Sequence, residues 1–416
     1  MVWQQQSAIF TMLESNNRTR NFRAGPLLLN KSLTALKNRK LAGVYIHIPF
    51  CKKACHYCDF HFSTQLKHKE DMLSAIKKEI ALRSTSFTQQ IETIYFGGGT
   101  PSVLTPSEIA ELIEQVQSHF DVSENPEITL EANPDDLSQS MLQSLSSSSV
   151  NRLSIGIQSF DNRELKMMNR AHNADQALQC LDAASSLFKN ISIDLIYGMP
   201  DSSLESWQKN IEQALEFDLP HISSYALTIE PKTALHHFVK QEVIVPLDEQ
   251  KVQDQFHLLV DVMEQNKFVH YELSSFGKQG YFSKNNTAYW KGKTYLGIGP
   301  SAHSFDGQTR SWNVSNNAKY IQSLQKGVRP FEEEILTKVD QYNEYIMTGL
   351  RTIWGVSEKE ISHRFGDSYA QHLLKQSQRY VNEGLLFWDH KCLKTTAKGS
   401  FLSDGIASAL FLINLS

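Results

Sequence analysis

The sequence predicts an α/β fold of repeated strand–helix units followed by a small helix–helix–hairpin domain. Three observations carry this. Short apolar strands alternate with amphipathic helices between residues 43 and 229. Two loops of unusual composition, CKKACHYCDF at 51–60 and GGGTP at 97–101, each follow a strand directly. Beyond about residue 305 the alternation gives way to a helical stretch over 340–383 and an aromatic hairpin. Strict β–α alternation implies parallel strands with crossover helices. Six such units by residue 229 suggest a barrel or partial barrel, with ligands at the C-terminal ends of its strands.

The elements follow in order. Gly43–Ile48 reads as the first strand, and Leu66, Leu73, Ile76 and Ile80 mark one face of a helix over 66–82. Ile91–Phe96 is the second strand. Thr105-Pro-Ser-Glu108 is a capping box with proline at the first helical position, followed by Ile109, Leu112, Ile113 and Val116. Further strands are expected at 127–131, 152–158, 191–196 and 222–229, with helices at 174–188 and 204–217 between them. Ser144–Ser149 ends a helix as a loop. A second capping box stands at Ser357–Glu360, and 385–388 with 391–395 form a hairpin around Asp389-His390. The division expected is a leader over 1–40, a barrel over 41–305 and a C-terminal, winged-helix-like α+β domain over 306–416.

Composition narrows the function classes. No apolar run reaches the ~18 residues of a membrane span. The net charge of −4 is uneven. Residues 1–40 hold seven basic residues against Glu14 alone, a net of +6, which leaves −10 for the rest. An acidic body argues against nucleic-acid binding, so the winged-helix-like domain is expected to be structural. The basic leader fits either a transit peptide or an upstream over-extension, because Leu41-Ala-Gly-Val-Tyr45 resembles a chain start. Five cysteines make no disulfide scaffold, and the chain reads as intracellular and cytoplasmic. Cys180, among Ala177, Leu181 and Ala184, is expected to be a buried, inert thiol.

Cys51, Cys55 and Cys58 fall within eight positions, and Phe60 occupies the next place at that spacing. The pattern is open to three readings: structural zinc with His47, His56 or His61 as fourth ligand, a four-iron cluster with one iron left open, or accident. Its position after the first strand puts it at the barrel mouth and favours the cluster. Tyr57, between two ligands, can pack against whatever binds the open iron. This arrangement resembles the radical S-adenosylmethionine (SAM) superfamily, a partial (β/α)6 TIM-like barrel. There the open iron binds the amino and carboxylate groups of SAM and can deliver an electron to its sulfonium. Gly97-Gly-Gly-Thr-Pro101 agrees with the resemblance in order and position.

Tyr45-Ile-His-Ile-Pro-Phe-Cys51, Phe96–Pro101, Glu131-Ala-Asn-Pro134, Gly156-Ile-Gln-Ser-Phe160, Asn169-Arg-Ala-His172 and Asp194–Pro200 occur in that order. Together they are similar to the oxygen-independent coproporphyrinogen oxidase family, from residue 43 to the C-terminal domain. The resemblance implies that Tyr45, Gly98, Glu131, Gln158 and Arg170 bind SAM. It places Gly99, Thr100 and Asp194 where the oxidases hold a second SAM. Phe60 in place of a fourth cysteine, and a first strand without the oxidases' N-terminal region, resemble the HemW branch of heme chaperones. That branch implies a [4Fe-4S] cluster, SAM and heme as cofactors, and apo-hemoproteins, such as those of the respiratory chain, as partners. The alternative is the oxidase or another radical SAM reaction on a porphyrin. Where that branch has His-Asn-x-x-Tyr-Trp, this chain reads Asn285-Asn-Thr-Ala-Tyr-Trp290. Its heme residues are then expected among His270, His303, Tyr289 and Trp290, each of which also fits a packing role.

Overall fold

A computed structural model describes residues 41–413 except 88, 246 and 247. The leader expected at 1–40 lies outside the described residues. Six parallel strands form the predicted series: β1 (Leu41–Ile48), β2 (Ile91–Gly98), β3 (Val122–Ala132), β4 (Arg152–Gln158), β5 (Ile191–Tyr197) and β6 (His221–Ala226). The helices between them are α1 (Lys69–Ser84), α2 (Pro106–His119), α3 (Gln139–Ser146), the short α4 (Asn162–Met167), α5 (Ala174–Leu187) and α6 (Leu204–Leu215). The capping box at Thr105 forms in both directions and starts α2 where the sequence places it. Cys180, on the inner face of α5, is buried in the core.

The two faces of the strands differ in kind. Val44, Ile46 and Ile48 of β1, Ile128 and Leu130 of β3, Leu153, Ile155 and Ile157 of β4, and Ile193 and Leu195 of β5 join the helices in one large core. The alternate positions are polar and also buried: Thr93, Thr129, Arg152, Ser154, Gln158, Ser192, His221 and Ser223. Side chains alternate across a strand with period two, so one parity packs on the helices and the other fills the barrel interior. A polar interior gives a ligand the fixed dipoles that an apolar filling would lack.

The sheet extends past the six units. After α7 (Ala234–Lys240) and α8 (Glu249–Gln265) come β7 (Val269–Glu272) and β8 (Ser275–Gly277), antiparallel beside β6. Helix α9 (Lys284–Trp290) leads to β9 (Thr294–Ile298), which pairs in parallel with β1. The antiparallel β10 (His303–Phe305), β11 (Thr309–Asn313) and β12 (Phe331–Ile335) finish the sheet, with α10 (Asn317–Gln325) packed on α1. All twelve strands form one sheet with β12 and β7 as its edges, so the barrel is partial. Residue 352 forms a bridge to Glu272 on the β7 edge, and Ile353 N donates to Tyr271 O at 3.1 Å. Glu127, at the base of β3, accepts from the backbone N–H groups of Lys284 and Asn285 at 3.1 Å each, which seats α9 at the N-terminal end of the barrel.

The boundary expected at residue 305 is corrected. It falls between β10 and β11, which pair through Phe305 and Arg310. The strands after 305 are short and polar, TRSWN and FEEEI, so they gave no strand signal in the sequence. A separate core begins with α11 (Lys338–Leu350) and continues through β13 (Val356–Ser357), α12 (Glu358–Phe365), α13 (Asp367–Asn382), β14 (Leu386–Asp389) and β15 (Cys392–Thr395). Its small sheet runs β13-β15-β14, the helix–helix–hairpin order expected.

Candidate functional site

The cysteine loop crosses the C-terminal ends of β1 and β2 and is tied down by backbone bonds. Gly99 N donates to Ile48 O at 2.9 Å and Thr100 N to Phe50 O at 2.7 Å. These explain the glycine triplet locally. Gly98 has φ of +109°, and a Cβ on Gly99 would lie 2.6 Å from Phe50 O. Ser63 N donates to Pro49 O, and Cys51 N to Ser63 O, which closes the loop's base. Its far side rests on the turn after α4. There Asn169 Nδ2 donates to Ala54 O at 2.7 Å, Lys53 Nζ to Arg170 O at 3.1 Å, and His56 meets Met167 O at 2.8 Å. Lys52 pairs with the buried Asp136, which also accepts from Ser102 Oγ at 2.6 Å.

Above the strand ends lies a cleft with about 720 Å³ of open space. Cys51, Cys55 and Cys58 line it together with Glu131, Gln158, Arg170 and Asp194, and Arg170 reaches Cys55 directly. Gly98, Gly99, Thr100 and Tyr57 line it too, so eleven of the twelve predicted cluster and SAM residues meet in one place. The twelfth, Tyr45, is not among the lining residues. It lies in the barrel interior against Tyr95 and Ala302, and its ring stacks on Tyr95 at 5.9 Å. Tyr95 in turn donates to Glu131 Oε1 at 2.7 Å, so Tyr45 acts on the cleft at one remove. The reason is strand depth: Tyr45 pairs with Tyr95, well short of the strand ends.

Burial pushes the Cys51 thiol up to about 11, against the hydrogen bond from Thr100, and pushes Cys58 up to about 12. Structural zinc takes four protein ligands. Three thiolates on one loop, with Phe60 where a fourth cysteine would stand, suit a four-iron cluster with each thiolate on its own iron and one iron open. His47 is held off the loop's open side by its bond to His61 O at 2.9 Å, and burial lowers it to about 4, so it is neutral.

The polar part of the lining fits a polar ligand. Gln158 has φ of +68°, a strained value for a residue other than glycine, and its buried Oε1 has no partner among the described residues. Arg170 Nε is buried and without a hydrogen-bond partner in the same sense. Buried polar atoms are costly to leave unsatisfied, so this part of the lining is built to be completed by a bound group. Burial, with Glu131 adding repulsion, raises Asp194 to about 7. Asn133, Ser154 and Lys53 also line the cleft and were not singled out from the sequence. Asn133 was legible in principle, inside the quoted Glu131–Pro134 motif, and Ser154 shares the inward parity of Gln158.

The four residues expected to face heme are placed elsewhere, and none lines the cleft. His270 stacks on Phe276 at 4.4 Å and bonds Leu273 O at 3.0 Å, and burial lowers its pKa. Trp290 is buried in the C-terminal core, with Tyr289 packed on it and on Tyr295, at the barrel end away from the cysteines. His303 stacks on Trp312 at 6.0 Å, and burial lowers it to about 4. In each case packing has claimed the aromatic surface.

Comparison with known proteins agrees with the cleft. The model of the radical SAM superfamily matches residues 45–214, and that of the HemN C-terminal domain matches 336–402. The fold and the site are thus those of a radical SAM protein, a class that implies a [4Fe-4S] cluster and SAM. The heme chaperone HemW of Lactococcus lactis is 32% identical over 91% of this chain and 99% of the relative. That of Bacillus subtilis is 32% identical over 89% and 99%. The mitochondrial radical S-adenosyl methionine domain-containing protein 1 of Bos taurus is 31% identical over 89% and 87%. The solved coproporphyrinogen III oxidase (HemN) of Escherichia coli superposes with a TM-score of 0.78 at 25% identity, over 90% of each chain. The chain belongs to the HemW family.

Proposed function

We propose that this protein is a heme chaperone: it binds heme, carries a [4Fe-4S] cluster on Cys51, Cys55 and Cys58 with SAM across the cleft, and delivers heme to apo-hemoproteins. The observation that carries the reading is the end-to-end similarity to HemW relatives, joined to Phe60 where a fourth cysteine is absent. When bound, the cluster supplies an open iron for SAM and an electron for its sulfonium. The chain's own residues do the rest. Gln158 and Glu131 offer an acceptor and a carboxylate to SAM's amino and hydroxyl groups, and Arg170 offers a fixed cation to a carboxylate. Tyr57 covers the cluster side, where it packs with Leu165 and Met168. The partner is an apo-hemoprotein, with those of the respiratory chain as first candidates, and the compartment is the cytoplasm. Among the described residues no helix is long and apolar enough to cross a membrane. The test is a heme titration of the anaerobically reconstituted protein, run beside an incubation with coproporphyrinogen, reductant and SAM. Stoichiometric heme binding without loss of carboxyl groups supports the chaperone. Decarboxylation supports the oxidase.

A further inference from the structure

Each cysteine sulfur has a hydrogen-bond donor beside it, Cys55 the Tyr57 hydroxyl as well, and three of the donors come from different parts of the chain. Thr100 Oγ1 donates to Cys51 Sγ at 3.3 Å, Arg170 Nη1 to Cys55 Sγ at 3.2 Å, and the Phe60 backbone N–H faces Cys58. The first two are aimed by one side chain. Asn133 Nδ2 donates to Thr100 Oγ1 at 3.4 Å, so the hydroxyl is an acceptor on that side and its single proton is left for sulfur. The other end of the same amide, Asn133 Oδ1, accepts from Arg170 Nη2 at 2.7 Å, and Gly156 O accepts from it at 2.9 Å. Those bonds fix the guanidinium plane and turn Nη1 toward Cys55. Thr100 is itself buried and held by its backbone bond to Phe50 O.

We propose that Thr100 and Arg170, aligned by Asn133, are positioning residues that set the reduction potential of a cluster held by Cys51, Cys55 and Cys58. This rests on the cluster reading above. One-electron reduction adds negative charge that the thiolate sulfurs share. A donor aimed at sulfur stabilises the reduced cluster more than the oxidised one and raises the potential. The effect is larger where water is excluded, and Arg170 adds a full positive charge. Both residues therefore hold the electron on the cluster and make it a weaker reductant toward a bound sulfonium.

The experiment is an anaerobic redox titration of the reconstituted full chain without SAM, using dithionite and reading the reduced cluster by electron paramagnetic resonance. Thr100→Val keeps the branched shape and removes the donor, and Thr100→Ser restores a hydroxyl. Thr100→Val is expected to lower the ratio of reduced to oxidised cluster at a given poise by the order of tenfold, about 59 mV for a one-electron couple. Thr100→Ser should titrate close to wild type, and Arg170→Gln should shift further than Thr100→Val. A purely structural role would change the iron content and leave the potential of loaded molecules alone. Wild-type potentials in Thr100→Val and Arg170→Gln, at wild-type iron content, would overturn the proposal. If Thr100→Val takes up no iron, the Arg170→Gln titration decides alone. A wild type that assembles no cluster overturns the reading beneath, a separate result.

Discussion

Replacing Glu79 by glutamine should loosen one flank of the sheet and leave the other intact. Glu79 is fully buried on α1. Its Oε2 accepts from Gly299 N at 2.9 Å, Asn313 Nδ2 at 3.0 Å and Tyr320 Oη at 2.5 Å, and its Oε1 accepts from Asn313 Nδ2 at 2.8 Å. Arg329 and Arg83 lie 3.4 and 3.7 Å from Oε1. One carboxylate thus ties α1 to the β9–β10 turn, β11 and α10. Glutamine keeps the shape but turns one acceptor into a donor facing other donors, and it leaves two buried guanidinium groups without their counter-charge. Removing one partner of a buried ion pair costs about 3–5 kcal/mol. At 1.4 kcal/mol per factor of ten, amide exchange across 294–325 should speed up by about two to three and a half orders of magnitude if that flank opens locally. The cysteine loop should follow, because His61 Nε2 meets Asn317 Oδ1 at 2.7 Å. The assay is hydrogen–deuterium exchange by mass spectrometry, with β3 and β4 as the internal reference. Acceleration below about tenfold, or equal acceleration in β3 and β4, would refute the reasoning.

Other perturbations have equally definite outcomes. Alanine at Cys51, Cys55 or Cys58 should abolish the oxygen-sensitive chromophore and the iron content of about four per chain, while Cys180→Ala and Cys392→Ala retain both; iron analysis decides. Asp194 is raised from 3.8 to about 7 by burial, so the folded state binds its proton more tightly than the unfolded state. Its contribution is therefore fully present below pH 3.8 and is lost as pH rises through about 7. Asp194→Asn should gain on wild type above pH 7, by at most about 4 kcal/mol before screening by water in the open cleft. Urea titrations at pH 4 and pH 8 that give the same difference would contradict this. Gln158→Gly should relieve the positive φ and stabilise the fold by up to about 1 kcal/mol, yet weaken SAM binding about tenfold. Thermal melts and calorimetric titration of SAM read the two effects.

Much of the fold was legible because strand and helix periods are strong in 43–217. The capping box at Thr105 and the inert Cys180 followed from local chemistry alone. What escaped was long-range. The polar strands β11 and β12 carry no apolar alternation, and their place is set by Glu79, more than two hundred residues away in the chain. The cleft was nearly complete in the sequence because its residues sit at strand ends within recognisable motifs. Tyr45 lies below the cleft, and a motif gives position along a strand and says nothing of depth in the barrel. His270, Tyr289 and Trp290 take the packing role that the sequence also allowed: an aromatic's partner depends on which core closes over it, and the C-terminal unit's contact with α9 is not written in either segment. The sulfur donors were hidden likewise, since Asn133 joins Thr100 to Arg170 across three strands.

The central claim is most directly tested by heme transfer. The anaerobically reconstituted protein, loaded with heme and repurified, is mixed with an apo-hemoprotein, and the recipient's absorbance spectrum is followed after separation of the two proteins. The expected result is that heme leaves this protein and appears in the recipient as its native spectrum. Heme that stays bound, or a protein that takes up no heme while removing carboxyl groups from coproporphyrinogen, would contradict it.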